Sequence, residues 1–198
     1  MTMRYINERK MQEEKPIAQT LTDSLTGLAN RRAFDKALAR EWKRTLRGGS
    51  QISLLLLDVD HFKEFINLHG HQAGDDCLRT VAAAVVGALR DTDIASRYGG
   101  EQIAVILPLT AIAGAVEVAE KIRSAVDALR FPHEGNQEGS GWLTVSIGAA
   151  AALSRQGGPI NFRMPEGLLM AADSALSKAK DEGRNRVATA PLVAPIGG

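Results

Sequence analysis

The chain has 198 residues, of which 44% are hydrophobic and 24% charged, which is typical of one soluble globular domain with a short extension. The net charge of +1 provides no global field toward nucleic acid or membranes, and the single cysteine, Cys77, excludes a disulfide framework and a thiolate metal cluster. No apolar run approaches the ~20 residues of a membrane span, and the charged N-terminus is unlike a signal peptide. We therefore predict a cytoplasmic protein that neither binds nucleic acid nor inserts into a membrane.

The first segment, residues 1–20, is polar and helix-prone, and we interpret it as a connecting helix or linker from a sensor or output domain of a longer protein. Residues 21–191 are predicted to form one domain, and 192–198 a flexible C-terminal tail. The predicted elements are a helix within 22–46, a strand over 51–60, a helix over 74–90, two strands over 93–98 and 103–109, a helix over 110–129, a strand over 142–151, a helix over 165–183 and a strand over 184–190. Their order indicates an α/β (α+β) sandwich, with a mixed sheet covered by helices.

Helical periodicity assigns the inward faces of the two central helices. The residues predicted to face the core are Leu78, Val81, Ala82, Val85, Val86 and Leu89 in the first of them, and Ile112, Val116, Ala119, Ile122, Val126 and Leu129 in the second.

Two carboxylates end the most apolar strand, where Asp58 and Asp60 flank Val59. Strand alternation places both side chains on one face, and Glu101 at the tip of a later hairpin could join them if the two strands are neighbours. Three converging acids would repel one another without a cation, and hard oxygen ligands near phosphate favour Mg²⁺. Alternatively, Asp58 and Asp60 only cap the short helix that follows.

Other polar residues have both a functional and an ordinary interpretation. Lys180 and Arg184 are four residues apart, so on one helix they would share a face and could clamp a phosphate, or they could simply complement the helix dipole. Lys63 could equally be a solvated lysine, and Asp75 the N-cap of the long helix.

Taken together, these segments resemble the GGDEF family, the diguanylate cyclases, over about residues 20–190. The matching segments, in the family's order, are DSLTGLANRRAF, DVDHFK, GHQAGD, RYGGEQI, TVSIGAA and AADSALSKAKDEGRNRV. The resemblance implies a central, mostly antiparallel five-stranded sheet wrapped by helices, related to nucleotidyl cyclases and polymerase palms. It also implies the joining of two GTP molecules into cyclic di-GMP across an antiparallel homodimer.

The resemblance also implies roles for individual residues. Asp58 and the Val59 carbonyl resemble ligands of Mg²⁺ or Mn²⁺, and Glu101 resembles a further metal ligand and general base. Phe62 and Lys63 resemble the phosphate loop, with Lys63 as a catalytic cation. The remaining residues that resemble nucleotide-binding positions are Asp75 for guanine, Gly99 and Gly100 at the hairpin, and Lys180 and Arg184 for the terminal phosphates.

The chain departs from the family pattern at two places. The signature Gly-Gly-(Asp/Glu)-Glu-Phe is here Gly99-Gly100-Glu101-Gln102-Ile103, so an amide replaces an acid that would help to hold metal. In the segment FKEFINLHGH, Ile66 stands where the family has an asparagine that hydrogen-bonds guanine, and Asn67 stands where it has an aspartate. We therefore expect metal binding, guanine recognition and cyclase activity to be weakened.

Arg90 and Asp93 match the family's inhibitory site, an Arg-x-x-Asp pair that binds cyclic di-GMP, at the family's offset before Gly99. We expect a degenerate GGDEF domain that binds cyclic di-GMP or GTP as a receptor or regulatory module. The alternatives are an active or weakly active cyclase, and a dimerising remnant without a ligand. Cyclic di-GMP could also lie in the former catalytic pocket, held by Asp75 and the glycine hairpin.

Overall fold

The fold is seen in a computed structural model that describes residues 20–137, 139–153 and 165–191. The predicted linker and C-terminal tail lie almost entirely outside these residues. The helices and strands, in chain order, are α1 (Arg31–Gly48), β1 (Gln51–Val59), α2 (Phe62–His69), α3 (His71–Gly87), β2 (Ile94–Gly99), β3 (Gln102–Pro108), α4 (Ile112–Ala128), β4 (Val145–Leu153), α5 (Glu166–Asp181) and β5 (Val187–Thr189).

A five-stranded sheet with the order β2-β3-β1-β4-β5 forms the centre of the domain. The long apolar strand β1 lies in the middle and pairs antiparallel with both β3 and β4, while β2 and β3 form an antiparallel hairpin. Only the β4–β5 pair is parallel. The predicted mixed, mostly antiparallel sheet is confirmed.

Each face of the sheet has its own apolar core, because alternate residues of β1 point in opposite directions. Leu55, Leu57 and Val59 face a cluster formed with α2, α3 and α4. Ile52, Leu54 and Leu56 face a second cluster formed with α1 and α5. The resulting three layers explain why β1 is a nearly continuous apolar run, since both of its faces are buried.

Several helix boundaries differ from the predictions, and the differences in α3 and α4 change how named residues are placed. Helix α3 begins at His71, directly after Gly70, whose φ of 88° favours glycine, so Asp75 is inside the helix and is not its N-cap. The same helix ends at Gly87, and Val86 in its last turn is exposed because Val85 occupies the core position there. Leu129 lies just beyond the end of α4 and is also exposed.

Candidate functional site

The carboxylate of Asp58 lies at the end of β1 and is only 4% exposed. Its Oδ2 accepts a hydrogen bond from Nζ of Lys180 on α5, and its Oδ1 is buried without a hydrogen bond. Burial raises the pKa of Asp58, Lys180 opposes that effect, and the charge of Glu101 adds to it. Because a buried polar atom without a partner is costly, the unpartnered Oδ1 is an unused acceptor position that a cation could occupy, while Oδ2 is paired with Lys180.

The β2–β3 hairpin brings its tip to the same end of β1. Gln102 is paired in register with Asp58, and its side chain lowers the pKa of that aspartate. Glu101 is near enough for its charge to raise the same pKa. Two carboxylates and one amide are therefore neighbours, with the Val59 carbonyl one residue further along the chain.

Neither hairpin glycine is required by the backbone. Gly99 and Gly100 are exposed, and neither has a positive φ. A Cβ atom at Gly99 would meet only the Gln102 Oε1 atom at 3.8 Å, and one at Gly100 would meet nothing within 4 Å. The missing side chains leave open space at the hairpin tip, which a ligand could use.

Asp60 does not join the other two acids. It is 2% exposed, and its carboxylate accepts hydrogen bonds from Thr144 Oγ1 and Ser146 Oγ, both at 2.7 Å, and from the Asn185 backbone N–H at 3.1 Å. Over the described ranges, no group of three or more His, Cys, Asp or Glu side chains could hold a metal ion. The predicted three-acid cluster is therefore wrong, because Asp60 is used within the protein.

The loop between β1 and α2 is held by a histidine that the sequence analysis missed. His61 has a φ of 52°, and its carbonyl oxygen lies 3.0 Å from Nε2 of the fully buried His133. Because a carbonyl oxygen only accepts, Nε2 is the protonated nitrogen, and Nδ1 is left buried without a partner. This contact holds His61, the residue that precedes the predicted phosphate-loop residues. Of these, Phe62 is buried and Lys63 is exposed.

A pocket of about 340 Å³ lies beside this loop. The residues that line it are His61, Asn136, Gly139, Ser140, Thr144, Gly183, Arg184, Asn185 and Arg186. Helix α5 ends at Asp181, and Arg184 lies beyond it with a φ of 61°. The prediction that Lys180 and Arg184 share a helical face is therefore wrong, and only Arg184 lines the pocket.

Ile66 fills the place where α2 and α3 meet. A Cβ atom at Gly74 would lie 2.9 Å from Ile66 Cγ1 and 3.3 Å from Phe62 Cζ, so the two helices approach each other closely there. Ile66 is half-buried against the core, whereas Asn67 and Asp75 are exposed. Ile66 therefore contributes packing and no hydrogen bond at this position.

Ile103 and Cys77 both belong to the core. Ile103 is 2% exposed and Cys77 is fully buried. Burial raises the pKa of the Cys77 thiol to about 12. The thiol is therefore protonated at neutral pH and unsuited to act as a nucleophile.

Arg90 and Asp93 bind each other at the opposite end of β2. The guanidinium donates from Nε (3.2 Å) and Nη2 (2.9 Å) to the carboxylate, and the Arg90 backbone N–H donates to it as well (2.9 Å). The Arg90 Nη2 atom also donates to Thr110 Oγ1. The Asp93 side chain is fully buried, while that of Arg90 is 58% exposed.

Comparison with known proteins identifies the family. The family model for "Diguanylate cyclase, GGDEF domain" matches residues 20–186. The response regulator PleD of Caulobacter vibrioides is 37% identical over 184 residues, covering 93% of this chain and 39% of PleD. Diguanylate cyclase VdcA of Vibrio cholerae is 36% identical over 182 residues, covering 92% of this chain and 50% of VdcA.

Solved structures show the same fold. The GGDEF domain of DgcB from Caulobacter crescentus, in complex with c-di-GMP, has a TM-score of 0.75 and 37% identity, covering 86% of this chain and 95% of that one. The diguanylate cyclase SiaD of Pseudomonas aeruginosa, in complex with its activator SiaC, has a TM-score of 0.70 and 33% identity, covering 86% of this chain and 62% of that one.

The chain belongs to the GGDEF family and is a GGDEF domain of cyclic di-GMP signalling. It spans half or less of the length of the curated relatives given above. Among the described helices, none is long and apolar enough to cross a membrane.

Proposed function

We propose that this chain is a GGDEF domain with severely reduced cyclase activity that binds cyclic di-GMP as a receptor or regulatory module. The observation that carries the proposal is the register of the sheet. Gln102, an amide where the family signature has an acid, lies directly opposite Asp58. An amide contributes no negative charge there, so the site offers two carboxylates, Asp58 and Glu101, to the cations that accompany a triphosphate.

The remaining acidic residues still suit a single metal ion. Asp58, the Val59 carbonyl and Glu101 would hold Mg²⁺ or Mn²⁺, which when bound would neutralise charge on the phosphates. Glu101 would accept the proton of an attacking ribose hydroxyl. Lys63 and Lys180 would supply positive charge to the phosphates, with backbone N–H groups from the loop at Phe62.

Guanine recognition would be weakened by the packing of Ile66 against Gly74. An aliphatic side chain leaves the guanine edge without its hydrogen bond, which costs roughly 1–3 kcal/mol when the edge is buried. Asp75 remains exposed and could accept from guanine. The catalytic pocket would therefore retain phosphate binding better than base selection.

The Arg90–Asp93 pair is the proposed cyclic di-GMP site. The planar guanidinium of Arg90 suits a phosphate or the O6 and N7 acceptors of guanine, and more than half of this side chain is exposed. Asp93 could accept from guanine N–H groups once Arg90 releases it. The likeness to a solved GGDEF domain in complex with c-di-GMP supports this ligand.

An active or weakly active diguanylate cyclase is the second candidate. It is favoured by the close placement of Asp58, Lys180 and Glu101, and by relatives that are named as diguanylate cyclases. In either case we expect a cytoplasmic homodimer that forms part of a longer protein with a sensor or output domain.

The first experiment is incubation of the purified protein with GTP and Mg²⁺ or Mn²⁺, followed by chromatography of the products. We expect little or no cyclic di-GMP, and more product from the double variant Ile66→Asn with Gln102→Glu. A wild-type turnover in the ordinary enzyme range, about 1–10³ per second, would show that the second candidate is correct.

The second experiment is calorimetry with cyclic di-GMP. We expect Arg90→Ala to weaken binding by about tenfold or more, because a charge-assisted contact is lost. Arg79→Ala is a matched control, since Arg79 is also an exposed arginine paired with an aspartate three residues away. If Asp75→Ala abolishes binding and Arg90→Ala does not, the ligand lies in the catalytic pocket. No heat of binding to the wild type would support the dimerising remnant.

A further inference from the structure

We propose that Asp60 is a positioning residue that holds the Arg184–Asn185 turn, and with it the phosphate-facing pocket, in its working shape. This inference rests on the proposed function, together with the role that the family resemblance implies for Arg184, which is to contact the terminal phosphates of a nucleotide. It assigns to the second acid of the DVD segment a role other than metal binding.

The turn after α5 has an unusual backbone. Arg184 and Asn185 have φ values of 61° and 45°, and they follow Gly183, whose φ is 115°. Residues other than glycine seldom adopt positive φ, and two in succession persist only where the surrounding structure holds them. The backbone of this segment therefore depends on contacts from elsewhere in the fold.

Asp60 supplies a central contact of this kind. The Asn185 backbone N–H donates to Asp60 Oδ2 at 3.1 Å, and Arg123 Nη1 on α4 donates to Asn185 Oδ1 at 3.0 Å. The Arg184 backbone N–H donates to Ala179 O at 3.0 Å, which ties the turn back to α5. The Asp60 bond is the one that joins the turn to the end of β1.

The same carboxylate joins other walls of the pocket. Asp60 Oδ2 also accepts from Thr144, which lines the pocket, and the backbone N–H of Asp60 donates to the Thr144 carbonyl oxygen at 2.9 Å. His61, the next residue in the chain, lines the pocket as well. One buried side chain thus fixes the relative positions of His61, Thr144 and Asn185. It thereby sets the direction from which Arg184 enters the pocket.

The hydrogen bonds also argue against a metal role for Asp60. Its Oδ1 accepts from Ser146 and its Oδ2 accepts from two donors, and the residue is 2% exposed. Asp58, in contrast, keeps a buried oxygen without a hydrogen bond. A positioning role requires a hydrogen-bond acceptor at Asp60 but does not require its negative charge. A metal-ligand role would require the charge, so the two roles can be separated.

The test compares Asp60→Asn with Asp60→Ala in calorimetry with GTP, GDP and GMP in the presence of Mg²⁺. The asparagine side chain can still accept from the Asn185 N–H, so Asp60→Asn should keep GTP affinity within about threefold. Asp60→Ala should lose about tenfold or more for GTP and much less for GMP, because the lost contact acts on the terminal phosphates. Equal losses in both variants would indicate that the charge matters, and would overturn the proposal.

A second readout does not depend on nucleotide binding. Hydrogen exchange of the Asn185 amide should become faster in Asp60→Ala and stay slow in Asp60→Asn. If the wild type binds none of GTP, GDP and GMP, the phosphate-binding part of the proposed function fails, and this measurement still decides the role of Asp60. Unchanged exchange in Asp60→Ala would overturn the inference.

If Asp60→Ala does not fold, the turn can be tested directly. Asn185→Gly tolerates a positive φ and keeps the N–H donor to Asp60, whereas Asn185→Ala keeps the donor but disfavours that φ. We expect the alanine variant to lose clearly more GTP affinity than the glycine variant. Equal affinities would show that the conformation of the turn does not matter.

Discussion

Asp58 combines a proposed role as a metal ligand with an energetic cost to the fold. The residue is almost fully buried, and burial raises its pKa despite the contact with Lys180. The folded state therefore holds the proton of Asp58 more tightly than the unfolded chain does, so ionisation of this carboxylate as the pH rises costs stability. Such a cost is typical of side chains retained for binding.

We therefore predict that Asp58→Asn raises the melting temperature at pH 7 in the presence of a chelator, by an amount on the order of 2 °C. With Mg²⁺ and a triphosphate present, the wild type should gain more stability than the variant, because the variant lacks a charged ligand. The measurement is differential scanning calorimetry under both conditions. A variant that melts lower than the wild type in chelator would contradict the prediction.

His133 should make stability depend on pH. Burial lowers the pKa of His133, an effect partly opposed by its hydrogen bond to the His61 carbonyl. The unfolded chain, with an ordinary histidine pKa around 6.5, therefore takes up a proton before the folded chain does. The contribution of neutral His133 is complete above that pH and is lost as the pH falls below it.

We predict that the free energy of unfolding falls less between pH 7 and pH 5 in His133→Gln than in the wild type. Urea denaturation at several pH values measures this difference. His71→Gln is a suitable control, because it makes the same replacement at an exposed position. Parallel pH profiles for wild type and His133→Gln would contradict the prediction.

For single residues, sequence patterns identified candidate side chains better than they identified contacts. The pattern of carboxylates pointed to Asp58, Asp60 and Glu101. It could not show that Asp60 instead accepts hydrogen bonds from Thr144 and Asn185, which lie more than 80 residues away. A buried histidine such as His133 leaves no local signal either, because its partner is a backbone carbonyl.

Among the elements, α5 packs very closely against strand β4. A Cβ atom at Gly148 in β4 would lie 2.2 Å from both the Ala172 carbonyl oxygen and the Leu176 backbone nitrogen. Only glycine permits this approach, because both neighbouring atoms belong to the helix backbone. The contact matters for the site, since α5 also carries Lys180.

We predict that Gly148→Ala lowers the free energy of unfolding by about 3 kcal/mol, through overpacking that pushes α5 from the sheet. Gly167→Ala, in α5 itself, is the matched control, because a Cβ there meets nothing within 4 Å. Its effect should lie between zero and about 1 kcal/mol of stabilisation. Chemical denaturation measures both variants, and equal stability of the two would refute the close-approach argument.

The types of the helices and strands were predictable from the sequence, but their first and last residues were not always predicted correctly. The apolar run of β1 and the amphipathic pattern of α4 identified both elements. The start of α3 was misplaced because Asp75 looks like a cap, whereas the φ of Gly70 sets the boundary. Arg184 was placed on α5 because periodicity alone does not show that the chain turns after Asp181.

For the whole molecule, sequence patterns alone indicated only a mixed sheet under helices. The resemblance supplied the five-stranded arrangement, which the strand order confirms. Asp93 lies just before strand β2, and the Gly99–Gly100 hairpin lies at the other end of that strand. Six residues of strand span about 20 Å, so the two proposed sites do not overlap.

We predict that saturating the protein with a non-hydrolysable GTP analogue and Mg²⁺ leaves cyclic di-GMP affinity within about twofold, because contacts this far apart act nearly independently. Calorimetry with and without the analogue measures this. The reciprocal titration is the control, since coupling between two sites has to be equal in both directions. Direct competition between the ligands would place both in one pocket.

The closed pair of Arg90 and Asp93 affects how fast a ligand can bind. Both carboxylate oxygens of Asp93 are covered by Arg90, so a ligand that uses this carboxylate has to displace the arginine first. A rearrangement that precedes binding slows association, below the usual 10⁵–10⁷ M⁻¹s⁻¹ or so. Such a domain would respond to a sustained rise in the second messenger and filter out brief pulses.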